Sequence, residues 1–121
     1  SWFRKSADQG NAFAQQALGV IYEEGIGVPQ HYAEAMRWYR KAAEQGEPLA
    51  QYSLAIMYSY RGGVRRDYIQ AHKWFNLAAA RSTSPSPVRE NAIRNRDLVA
   101  RKMTPAQMAE AKRLAQDWVL K

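Results

Sequence analysis

The stretch AMRWYRKAAEQG, residues 35–46, returns as AHKWFNLAAARS at residues 71–82, and SWFRKSADQG at residues 1–10 is a shortened version of both. The copies lie 36 residues apart. Trp2, Trp38 and Trp74 fall on one ladder, as do Ala7, Ala43 and Ala79, and the pair Gly10 and Gly46. Between these copies Ala14 meets Ala50, Leu18 meets Leu54, Tyr22 meets Tyr58, Tyr32 meets Tyr68 and Ala35 meets Ala71. Residues 11–46 and 47–82 share 11 of 36 positions without a gap. A fixed period of this length marks an architecture of stacked repeats.

Each period reads as two helices. In NAFAQQALGVIYEEG, residues 11–25, Ala14, Ala17, Leu18, Ile21 and Tyr22 follow one helix face. GIGVPQ then stops the helix, because Gly25 can take positive φ and Pro29 cannot continue the hydrogen-bond ladder. The second stretch places Tyr32, Ala35, Trp38, Tyr39, Ala42 and Ala43 on one side and ends at Gly46. Asp67 reads as an N-cap and Pro48 as a first helical position. Alanines let helices approach closely. The indole fills the space left between hairpins. Burying one indole removes about 200 Å² from water, a gross gain of about 5 kcal/mol. A lone hairpin has nothing to cover that ring, so the phrase must recur.

The pattern A-x-x-x-L-[GA]-x-x-Y, then G-V, then Y-x-x-A-x-x-W-[YF]-x-x-A-A resembles the Sel1-like repeats, relatives of the tetratricopeptide repeat. The resemblance covers residues 1–82 and implies an all-α fold, a right-handed α/α superhelix of helical hairpins. Two departures stand out. Arg61 replaces the helix-ending Gly25, and His31 stands where the next repeat has Asp67. The organisation expected is the tail of a preceding repeat at 1–10, full repeats at 11–46 and 47–82, and a linker with a capping helical hairpin at 83–121. RSTSPSP at 81–87 reads as a loop. VRENAIRNRDLVARKM then reads as a basic helix, and Thr104-Pro105-Ala106-Gln107 as a helix start with a capping box. These last two helices break the 36-residue register, as a cap with a polar outer face would. Since residues 1–10 match only half of a second helix, further repeats are expected before residue 1.

The chain has no cysteine, which excludes disulfides, thiolate nucleophiles and zinc–thiolate sites. No apolar run is long enough to span a membrane. GIGVPQ lacks the third glycine and the preceding strand of a phosphate loop. Only His31 and His72 are present, too few for a local histidine metal site, and the adjacent Glu23 and Glu24 point different ways on a helix. No catalytic site, cofactor, metal or small-molecule substrate is therefore expected.

What remains is surface. Stacked hairpins curve into an extended concave side, and resemblance to tetratricopeptide repeats implies that first helices line it. The outward positions there are Phe13, Gln16, Val20, Glu23 and Glu24, then Leu49, Tyr52, Ile56, Ser59 and Tyr60. Such an aromatic and aliphatic strip suits an extended peptide or a helix from a protein partner. Leu49, Tyr52 and Ile56 can equally be packing residues against the neighbouring repeat. The leading functional expectation is a non-catalytic protein–protein interaction scaffold. The alternative is a binder of anionic partners, nucleic acid or an acidic envelope surface. Net charge is +7, and about five of those charges lie in residues 81–121. Its cations would be Arg61, Arg65, Arg66, Arg89, Arg94, Arg96, Arg101 and Lys102. The resemblance points to a bacterial source and leaves the compartment open between exported and cytoplasmic, tilting toward exported.

Overall fold

A computed structural model describes residues 2–60, 65–82 and 86–119, with Tyr60 described by its backbone alone. The described residues form helices and connecting turns, with no strand among them. The helices are α1 (Trp2–Asp8), α2 (Ala12–Glu24), α3 (Tyr32–Glu44), α4 (Pro48–Tyr60), α5 (Tyr68–Arg81), α6 (Pro87–Ala100) and α7 (Pro105–Val119). The expected loop at 61–64, with Arg61, Gly62 and Gly63, lies outside the described residues, as do residues 83–85 of the expected connector.

Local chemistry repeats along with the sequence. Gly10 and Gly46 both end a second helix with φ near +90°, at +93° and +90°, a conformation that costs other residues dearly. Asn11 caps α2 through its side chain and Glu47 does the same at the start of α4, accepting from Ala50 N at 2.6 Å. His31 is not a lost cap. Its Nδ1 accepts from Glu34 N at 3.1 Å, as Asp67 Oδ1 accepts from Gln70 N at 3.1 Å. Thr104 and Gln107 exchange backbone and side-chain bonds of 2.9 and 3.1 Å, the expected capping box. α6 starts one residue earlier than its apolar pattern suggested, because Ser86 caps it and Pro87 fits the first turn.

Consecutive helices pack in order: α2 on α3, α3 on α4, α4 on α5 and α5 on α6. The second-helix alanines that face the seams are fully buried, with Ala35, Ala42, Ala43, Ala71 and Ala78 all at zero exposure. Trp38 is 1 % exposed and packs with Ala7, Ala14 and Leu18, so its indole closes the joint of α1, α2 and α3. Trp74 is equally buried but lies in the main core, where Trp118 meets it edge-on at 6.0 Å between centroids. Cations cover both rings from the preceding position, Arg37 over Trp38 at 4.8 Å and Lys73 over Trp74 at 4.4 Å. Trp2 departs from the ladder: it is 68 % exposed and touches Phe3.

The C-terminal pair is not a hairpin of the earlier kind. α6 and α7 each lie against α5 and barely meet one another. At a spacing of 36 residues α7 shares only Ala115 with Ala79 of α5, and Glu110 stands at the tryptophan position. Ala111 and Ala115 are the buried residues of α7.

The first joint gives two quantitative expectations. Trp38→Ala should cost about 3–5 kcal/mol in urea denaturation, since the ring has no water to fall back on. Gly19→Ala would drive a methyl into the Tyr39 ring and should cost about 1–3 kcal/mol by overpacking, measured in the same way.

Candidate functional site

The outward strip expected on α2 and α4 separates into an exposed part and a buried part. Phe13 and Leu49, one period apart in the first turns of α2 and α4, are exposed at 66 % and 41 %. Glu24 is exposed, while Val20, Glu23 and Tyr52 are half-buried. Gln16, Ile56 and Ser59 are buried. Ile56 belongs to the main core, and the Ser59 hydroxyl donates to Ile56 O at 3.0 Å within its own helix. The side chain of Tyr60 lies outside the described residues.

Tyr52 is held by the fold. Its ring meets Phe75 edge-on at 5.7 Å, and its hydroxyl accepts from Asn95 Nδ2 of α6 at 3.2 Å. Glu23 accepts from the Tyr39 hydroxyl at 2.6 Å. Burial, together with that carboxylate, holds the Tyr39 hydroxyl far above its usual pKa. The next repeat replaces both members at once, putting Phe75 for Tyr39 and Ser59 for Glu23. A buried hydroxyl and its acceptor thus appear together and disappear together, as the cost of an unpaired buried group requires.

Two buried glutamines escape a reading based on apolar periodicity. Gln15 Nε2 donates to Ala7 O at 3.1 Å and Gln51 Nε2 donates to Ala43 O at 3.2 Å, the same bond one period apart. Each satisfies a carbonyl in the last turn of the preceding helix. Their identity at 36-residue spacing was the available signal. Arg81 adds a second tie between repeats, with Nε donating to Gly46 O at 2.7 Å.

The basic residues of the C-terminal third do not build one face. At about 100° per helical residue, Arg89 and Arg96 share one side of α6 and Arg94 and Arg101 the opposite side. Several are already occupied: Arg94 donates to Asn91 and Lys102 lies over the Tyr68 ring at 5.7 Å. No group of three or more His, Cys, Asp or Glu fit to hold a metal occurs among the described residues. None of the described helices is long and apolar enough to cross a membrane. Of the two histidines, His31 is spent on its cap, whereas His72 is only 4 % exposed on α5.

Comparison with known proteins places these observations in context. A family model for the Sel1 repeat matches residues 1–11, 12–47 and 48–82. No curated protein sequence matches. The chain is similar to a protective antigen present in uropathogenic Escherichia coli strains that displays an SLR fold. The identity is 38 % with a TM-score of 0.88, over 99 % of this chain and 25 % of that one. It is also similar to a Sel1 repeat protein from Oxalobacter formigenes, at 35 % identity and a TM-score of 0.66, over 75 % of this chain and 34 % of that one. The chain thus spans a quarter to a third of the length of these proteins.

His72 makes stability depend on pH. Burial first, then Arg96 and Lys112, lower its pKa in the folded chain. Below about pH 6.5 the unfolded chain takes up a proton that folded His72 refuses. Stability should therefore be level above neutrality and fall as pH drops through about 6.5, by at most about 1.4 kcal/mol per pH unit. Urea denaturation of wild type and His72→Gln across that range should show the slope only in wild type.

Proposed function

The chain belongs to the Sel1 repeat family, whose repeats generally serve as protein-interaction scaffolds, and from that premise we propose that it binds a peptide or protein segment along the first-helix side of the stack. The observation that carries this reading is the pair Phe13 and Leu49. Two large apolar side chains sit at equivalent positions of successive repeats, exposed where the fold gains nothing from them. An apolar anchor repeated at a fixed spacing suits an extended chain or a helix laid across the repeats. Val20 and Tyr52 flank the anchors, and Glu24 adds a charge at the far end of α2. Ile56 and Ser59 support this surface from inside. No catalytic role enters the reading. α6 and α7 act as the cap of the stack, covering the face of α5 that a further repeat would otherwise cover. The alternative surface of basic residues is less favoured, because its cations point to opposite sides of α6.

The decisive experiment is selection of displayed peptides on the wild-type chain, followed by binding to Phe13→Ser/Leu49→Ser. The double variant should keep its helical circular dichroism and lose at least about tenfold in affinity, equivalent to about 1.4 kcal/mol. Leu98→Ser, which alters an exposed leucine on α6, should bind as wild type does. Equal binding by the double variant would remove the first-helix surface. A steep loss of affinity with salt would point instead to the basic residues.

A further inference from the structure

Because α6 and α7 both lean on α5 without closing on each other, they leave a cleft between the three helices. It has a volume of about 350 Å³ and is lined by His72 and Asn76 of α5, Arg96 and Asp97 of α6, and Met108 and Lys112 of α7. We propose that this cleft is a binding site for a small organic anion, a carboxylate or a phosphate monoester, independent of the first-helix surface. Its volume falls at the lower end of small-ligand sites.

Three observations carry the assignment. The first is His72. The residue one period earlier is Met36, an apolar side chain packed against the core. Replacing it with a histidine puts an imidazole at a packed position where its Nδ1 is buried and has no hydrogen-bond partner in the fold. Trp38 Nε1 and Gln51 Oε1 are also buried without a partner, but of the three only His72 lines the cleft, where a ligand can reach it. The second is Arg96. Its guanidinium is aimed by bonds to Asn76 Oδ1 at 3.1 Å and to Asp97 Oδ1 at 3.2 Å. Those bonds use two of its five N–H donors, leaving others for an incoming oxyanion. The third is charge. Lys112 stands across the cleft in no ion pair among the described residues, so the lining holds two cations against the single carboxylate of Asp97. The same two cations depress the pKa of His72 after burial does, so the imidazole is neutral and offers one N–H. Arg96 and Lys112 would take the anionic head. Met108 would lie along the carbon body.

The test is an NMR titration of the whole chain at low ionic strength, with inorganic phosphate in one arm and acetate in the other. At least one anion should move the His72 ring and Arg96 Nε–H signals saturably. A response to phosphate assigns the phosphate monoester class, and a response to acetate the carboxylate class. Arg96→Gln and Lys112→Gln should each weaken binding by about tenfold, and Arg94→Gln, on the far side of α6, should leave it unchanged. His72→Met, which restores the residue of the preceding repeat, should fold at least as stably and bind more weakly. The proposal is overturned if neither anion gives saturable shifts up to tens of millimolar. Arg94→Gln weakening binding as much as Lys112→Gln would overturn it too, since that is diffuse charge attraction. So would undiminished affinity in His72→Met.

Discussion

An indole too large for one hairpin to cover governs this molecule. Trp38 is on α3 but buries itself against Ala7 of α1 and Ala14 and Leu18 of α2, so its burial joins a repeat to the one before. Alanine makes the joint possible. With Ala7 and Ala14 as its small neighbours, the backbones of α1 and α2 come close enough for the ring to pack between them. Gly10 and Gly46 then turn the chain at a fixed angle into the next first helix. The glutamine bonds from Gln15 and Gln51 follow from that geometry, because they require the end of each second helix to lie beside the start of the next first helix.

Within this frame the two full repeats have diverged in matched steps. In the first, Gly19 leaves room for the Tyr39 ring and Glu23 takes its hydroxyl proton bond. In the second, Ala55, Phe75 and Ser59 occupy the same three places. The exchange removes a polar contact and puts a methyl where the first repeat has none. His72 for Met36 runs the other way, adding polarity where packing alone would refuse it. Such a site is where function, rather than folding, is the natural cause.

The helices, their caps and the seam alanines were legible in the sequence because each depends on short-range chemistry that returns every 36 residues. Burial on the outward strip was less so. Ile56 and Ser59 occupy outward positions by helical spacing, yet both are buried in the folded chain, Ile56 within the main core, and no local pattern reports that. Gln15 and Gln51 were hidden by a search for apolar residues. The placement of α7 was obscured by two things: an altered connector upstream and the absence of a tryptophan at residue 110. Only Ala115 keeps the period there. The cleft beside His72 could not be read at all, since it exists only because α6 and α7 part company on α5.

The ties between repeats are unevenly distributed. Toward the C-terminus Arg81 holds the carbonyl of Gly46, and Trp118 both meets Trp74 and donates from Nε1 to Glu44 at 3.2 Å, spanning two repeats. At the other end the seven-residue α1 rests on a small separate cluster around Trp38. Amide protons should therefore trade with solvent deuterium earliest in α1, then α2, with α5 the slowest to open. Order in this stretch of the stack is held from the side of α5, as a rope is held by its whipping.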